Sequence, residues 1–595
     1  MTYAADKVAA GGRRIDVIQL VLDACSLTFG VGLCYATGEP CKNAWASCKA
    51  PDVFADTTKT ITLCTPGSNL PPSLNAIPLV RANGIKFDPA DPTPDDGIGK
   101  VGSVDVDFFD APHDDVGIDP YISQRSYSGL DRSTFWPKLR ANWPNYQGRT
   151  LYWYTGYEHY PFSLSNLRRR TYLMESWAGF GGKDGVKIKA KDPLKLADDK
   201  RSVWPRKTNG TLAAAMTDVA PPTTIDVHTT DPTEYDLAAY EALSCVRIGS
   251  EVFRYTGTTP ITDGVRLTGV TRSAPAPYIC SVSAHDAGDD VQKCAYFAAM
   301  SAANILRYLL TLGAEVPSAY IDYAAWSSLY ATWLGGLTLT RLICEPQGVT
   351  SLCAEVLLQS SGWGLWWDDI NEQIGYEVFR PAALSETVTP ITEANSQVKA
   401  TLKIIDDPDR LINNCVFYYG QVDPTKDEKD VTNYGPAINS FDIGSASARE
   451  VGSLRTKVIY GRWHPSAAAA TIARIADRIV VARGSIPYRA EFKVARKDDD
   501  LQTGDFIDLT CAGITDLFGA QVTTRMRVIK GDFGQDEVTY TAREDFVSMR
   551  YGLIAPAALR GVTWATATAA QRATYVFISD ANGLMSDGSI GKRIY

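Results

Sequence analysis

CSLTFGVGLCYATGEPCKNAWASCKAPDVFADTTKTITLC, residues 25–64, holds five of the chain's twelve cysteines: Cys25, Cys34, Cys41, Cys48 and Cys64. The other seven are scattered over the rest of a 595-residue chain, so this is a local cluster. Between the thiols stand Gly30, Gly32, Gly38 and Pro40 among small and polar residues. Such a segment buries too little apolar surface to offset its own ordering entropy, so something must tie it down. Chemistry leaves four ties open. Disulfides need an oxidising compartment, and five thiols is an odd number. The apolar run Val17–Leu22 is short, broken by Gln19 and followed by Asp23, which does not read as a secretory signal. Zinc favours paired C-x2-C knuckles, and none occurs here. An iron–sulfur cluster takes four thiolates and accepts irregular spacing. Inert buried thiols are the fourth option.

Working outward, IDVIQLV leads into the loop as a strand and TKTITLC leaves it as another. Pro71, Pro72 and Pro78 forbid helix in the joint that follows. Val104, Val106 and Phe108 alternate with Asp105 and Asp107, the pattern of a half-buried strand. His113 beside Asp110, Asp114 and Asp115 has metal-ligand chemistry, but no second group converges on it, and a solvated acidic loop is expected. Residues 136–200 read as strand and turn, with Arg168, Arg169 and Arg170 as a solvated edge and 192–201 as a polar connector. Short alternating runs from 244 to 290 predict a small antiparallel domain, with His285 and Asp286, Asp289 and Asp290 in a tight turn at a strand end.

Helical patterning concentrates in 291–362. Ile305, Leu306, Leu309 and Leu310 share a face that stops at Gly313, and Val349, Leu352, Cys353, Val356 and Leu357 form a core-facing stripe. Trp366 and Trp367 are read as core filling. From 395 to 554 the pattern is β again, with one helix between Pro465 and Gly484. The expected class is a multidomain, mainly β protein with one α+β domain. Its divisions are 1–204 (carrying the cysteine loop 25–64), 205–290, 291–394, 395–554 and an extended arm at 555–595.

Charge narrows the function. With 68 acidic against 59 basic residues the chain carries −9, which argues against gripping nucleic acid over a broad surface. Five histidines leave little material for a Cys–His or zinc-peptidase site, and no H-E-x-x-H, G-x-S-x-G or P-loop occurs. Paired carboxylates keep a cell-wall hydrolase as an alternative. An iron–sulfur redox protein is the other, although no dinucleotide fingerprint accompanies the thiols.

The spacing of Cys25 and Cys34 (C-x8-C), then Cys41 and Cys48 (C-x6-C), with TKTITLC behind them, resembles the cysteine-rich loop of tail-tip hub proteins. These belong to long non-contractile-tailed bacteriophages and related gene transfer agents. The stretches VKIKAKDPLKLADDKR, IGSEVFRYTG, LTGVTRS, AHDAGDDVQ, YIDYAAWSSLYATWL and LLQSSGWGLWWDD are similar to the same family, in the same order. The resemblance implies β-barrel hub domains like those of contractile-tail baseplates, and a structural virion protein rather than an enzyme. It implies a [4Fe-4S] cluster on Cys25, Cys34, Cys41 and Cys48, with Cys64 as alternative ligand. It also implies three copies in a ring that closes the distal end of the tail tube and opens for DNA ejection. The implied partners are the distal tail protein, the tape measure protein and a central fibre or receptor-binding protein on a separate polypeptide, with DNA only in transit. The implied location is the virion tail tip, after assembly in the host bacterial cytoplasm.

Overall fold

A computed structural model of the chain describes residues 3–7, 13–91, 100–158, 161–180, 185–198, 200–238, 240, 243–383, 386–393, 401–447, 451–516, 518–534 and 537–544, with short pieces between 553 and 576. Most of the arm read at 555–595 lies outside the described residues.

Alternation builds the first unit. Strands β1 (Arg14–Cys25), β2 (Asp56–Cys64), β3 (Val80–Asp88), β4 (Ser103–Phe108), β5 (Thr150–Tyr157), β6 (Arg168–Ala178) and β7 (Val186–Lys191) form one antiparallel sheet in the order β2-β1-β5-β6-β7-β4-β3. The edges meet: just before β3, Ile77 donates to Thr62 O (2.9 Å) and accepts from Cys64 N (2.9 Å) on β2. The sheet therefore closes into a barrel, which leaves neither edge strand open. Every second residue of β4 and β7 points into its core, with Trp153 and Trp136 fully buried. Trp136 comes from a helix, Phe135–Asn142, where strand and turn were expected. Pro137 sits in its first turn, where a missing N–H costs nothing, and Phe135, Trp136 and Leu139 share the buried face.

The second sheet, between Gly210 and Ile343, is antiparallel and crosses the boundary read at 290: its strand Asp290–Met300 pairs with Ser244–Ile248 and with Leu339–Ile343. The predicted helical layer follows as Ala302–Tyr308 (continuing to Gly313), Tyr323–Leu334 and Val349–Gln359, backed by the hairpin Gly362–Asp368 and Gln373–Val378. The stripe from Val349 to Leu357 is buried as expected, and Trp367 is buried while Trp366 is half-buried. The region read as one unit at 395–554 has two cores. A three-stranded sheet with helix Ala469–Arg483 makes one. A six-stranded sheet, joined across 394 by Thr389–Thr392, makes the other.

The arginine triplet corrects the sequence reading. It is not a solvated edge but the clamp between the barrel and two other units. Arg168 donates to Asp499 (3.1 Å), Arg169 to Glu372 (2.5 Å) and Arg170 to Asp369 (2.5 Å). Arg170 is fully buried, its guanidinium 4.9 Å from the Trp153 ring of the barrel and 4.4 Å from Phe533 of the six-stranded sheet. Asp499, also buried, receives Tyr3 (2.6 Å) and Lys7 (3.1 Å) as well. Alternating polarity and basic composition look alike in an edge strand and in such a clamp, because the acidic partners lie about 200 and 330 residues away.

The first part of the stretch read as a polar connector is packed instead: Pro193, Leu194 and Ala197 are buried in the 3-10 turn Pro193–Asp198. Asp192 is 1% exposed, and burial pushes its carboxyl up to about 7, against N–H donation from Gly102 (2.5 Å) and Leu194 (2.9 Å). The folded value lies above the unfolded value of about 3.9. Folding therefore takes up a proton between about pH 4 and 7, and this contribution, full below about 4, is lost as pH rises to about 7. Asp192→Asn is expected to lose less stability than the wild type between pH 4.5 and 7.5 in urea unfolding. Identical slopes for both proteins would contradict that assignment.

Candidate functional site

The β1–β2 hairpin carries the cysteines. Its ladder begins with Val17 opposite Cys64 and ends with Cys25 opposite Asp56; residues 26–55 are inserted at that far end. β1 thus delivers Cys25 to the root of the insert. Cys64 lies at the other end, eight residues down the ladder from Val17 to Cys25, which is about 27 Å at ~3.4 Å per residue.

Local chemistry folds the insert back on its root. Gly30 (φ 66°) and Gly38 (φ 86°) adopt left-handed turns, where a side chain would be strained. Asn43, also left-handed at φ 55°, accepts from Cys25 N (2.7 Å) and donates from Nδ2 to Cys25 O (3.1 Å) and Leu27 O (3.3 Å). A 3-10 turn, Trp45–Ser47, then sets Cys48 at its C-cap. As a result Cys25, Cys34, Cys41 and Cys48 line one small cavity, with Leu27, Phe29, Ala36, Val53 and Phe54 as its apolar walls and Lys49 as a nearby cation. Cys64 is not among them.

The insert is held by residues in and just after the loop around His113 that sequence reasoning took as solvated and acidic. Arg125 donates to Pro40 O (2.5 Å) and Cys41 O (3.1 Å), and its own Nε is fixed by Asp119 at 2.8 Å. Tyr121 accepts from Phe29 N (2.7 Å) and meets its ring edge-on. Asp115 and Asp119 are buried, not solvated; Asp115 pairs with Lys138 (2.7 Å) and donates its N–H to His113 Nδ1 (2.9 Å). The only sequence signal was an excess of Asp beside an Arg, which does not say what they face. His285 is also committed structurally, to Glu251 at 3.0 Å, and Glu251 in turn to Arg272 at 2.7 Å.

Four sulfur donors with no imidazole or carboxylate in the wall are a soft set, suited to iron–sulfur, zinc or cuprous ions. Burial pushes the Cys41 thiol up, so the thiolate needs a cation to hold it. Among the described residues no group of three or more His, Cys, Asp or Glu side chains is placed to hold a metal ion. The four thiols share the lining of one small cavity. Four thiols in an apolar wall are the donor type that an iron–sulfur cluster takes.

A second gathering of thiols escaped the sequence reading. Cys245 stands opposite Cys294 across paired strands, and Cys280 and Cys344 pack in the same small cluster. They come from separate segments, so no spacing could reveal them.

No protein-family model matches the chain, and no curated protein matches it. Among solved structures, the 43 kDa tail protein of prophage MuSo2 from Shewanella oneidensis aligns at 9% identity over 79% of this chain and 99% of that one, with a TM-score of 0.36. The prophage tail protein gp18 from Listeria monocytogenes EGD-e aligns at 7% identity over 78% and 89%, TM-score 0.29. A chain of the virion of a native gene transfer agent particle aligns at 12% identity over 64% and 79%, TM-score 0.27.

Proposed function

We propose that this chain is a structural tail-tip hub whose first barrel is stapled by a [4Fe-4S] cluster on Cys25, Cys34, Cys41 and Cys48. The observation that carries the reading is the convergence of those four thiols, and not Cys64, on one apolar-walled cavity. When bound, the cluster supplies four metal–sulfur bonds that substitute for the core the insert lacks. The chain's own residues do the rest: Asn43 ties the insert to its root, and Arg125 ties it to the barrel. No second redox centre is part of this reading, and no catalytic step is assigned.

In this reading three copies form a ring that closes the distal end of a tail tube at the tip of the virion. The ring docks to the distal tail protein, meets the tape measure protein and a central fibre or receptor-binding protein, and opens for DNA ejection. The motif order along the sequence supports it. So does the tip of the insert, where Val31, Leu33 and Tyr35 are 62%, 73% and 60% exposed, a grouping suited to burial against a neighbour. The net charge of −9 suits a passage that DNA crosses without being held. Native mass spectrometry of the purified chain, with and without the co-expressed distal tail protein, tests the assembly. A trimer is expected, and a chain that stays monomeric in both would contradict the ring.

A further inference from the structure

Beside the thiol cavity lies a second, wider cleft of about 250 Å³, between the insert and the helix Phe135–Asn142. Its lining includes aromatic rings: Trp45, 57% exposed, meets Phe54 edge-on at 5.0 Å, and the buried Trp143 also lines the cleft. Planar polar side chains line the same cleft: Asn142, Asn145 and Arg149, the last paired with Asp23. Phe54 lines both this cleft and the thiol cavity, so the segment that orders the cysteines also sets the aromatic wall.

We propose that this cleft binds a pyranose sugar of a glycan chain. A sugar ring presents a C–H face, which packs on an aromatic plane, and a rim of hydroxyls, which pair with amides, carboxylates and guanidinium. A lining that combines aromatic rings with amides and a guanidinium matches that division. Phosphate-bearing ligands fit less well: Arg149 is the cation here and is already neutralised by Asp23, with Asp56 adding a further negative charge. The cleft has room for a single ring rather than a large ligand. This site goes beyond the assembly reading and does not depend on the cluster's identity.

The test is titration of the full-length protein with N-acetylglucosamine trimer, cellotriose and maltotriose, followed by tryptophan fluorescence and saturation-transfer NMR. Iron content is measured on the same sample, so a failed cluster assignment is seen separately. At least one trisaccharide should bind saturably. Trp45→Ala should weaken it at least tenfold, and Asn145→Ala severalfold, with the thermal midpoint unchanged in both. No saturable binding by any of the three would overturn the proposal, as would binding that survives Trp45→Ala. Loss of self-association in Trp45→Ala without sugar binding in the wild type would make the cleft a subunit contact instead. Competition by a short peptide but by no sugar would also reject it.

Discussion

Arg170→Met is expected to destabilise the chain by about 3 kcal/mol or more in urea unfolding, because removing one partner of a buried ion pair strands the other. Arg170 is fully buried, and the side chain of its partner Asp369 is 17% exposed. The carboxylate would keep a little water but lose its counter-charge at a junction of three units. Two Arg170 nitrogens make no hydrogen bond and rest against aromatic rings, so the guanidinium is held by packing as well as by charge. The double variant Arg170→Met with Asp369→Leu separates the two contributions. If charge dominates, the second change restores most of the loss; if it restores none, the loss is packing against Trp153 and Phe533. Arg169→Ala makes the contrast. That pair is 45% and 21% exposed, and its loss should stay within about 1 kcal/mol. Equal effects for Arg169 and Arg170 would contradict the clamp.

Cys41→Ser should open the insert to protease. Trypsin has Lys42 and Lys49 as cutting sites within residues 26–55. In the wild type both lie in the stitched loop. The insert's own bonds are modest: each Asn43 hydrogen bond contributes about 1 kcal/mol and the charged Arg125 bonds about 1.5–3. Metal–thiolate ligation in small structural sites contributes on the order of 10 kcal/mol, so the proposed cluster would decide whether the loop holds. Cleavage at Lys42 and Lys49 should accelerate at least tenfold in Cys41→Ser and stay at the wild-type rate in Cys64→Ser. Cleavage that is slow in all three proteins would mean that Asn43 and Arg125 suffice.

Much of this architecture was legible because the physics is local. Strict alternation in SVDVDF and VKIKAK announced strands that face a core on one side, and the stripe from Val349 to Leu357 announced a core-facing helix. The thiol quartet could be read because its members sit within 24 residues on one insert. What stayed hidden depends on distant partners. Arg170 was read as solvated because Asp369 lies 199 residues away, and Arg125 went unnoticed because what it holds, Cys41 O, is backbone. The helix at Phe135 was missed because an aromatic pair before a proline suits a strand end as well as a first turn. That Cys64 stands apart from the other four thiols needed the ladder register, which composition does not contain.

The most direct test of the stapled insert is iron and acid-labile sulfide analysis of protein purified under strict anaerobiosis, with its absorption spectrum. Four irons and four sulfides per chain and a brown chromophore are expected, lost in Cys41→Ser and in Cys48→Ser and kept in Cys64→Ser. Colourless, iron-free wild-type protein whose insert still resists trypsin would contradict it.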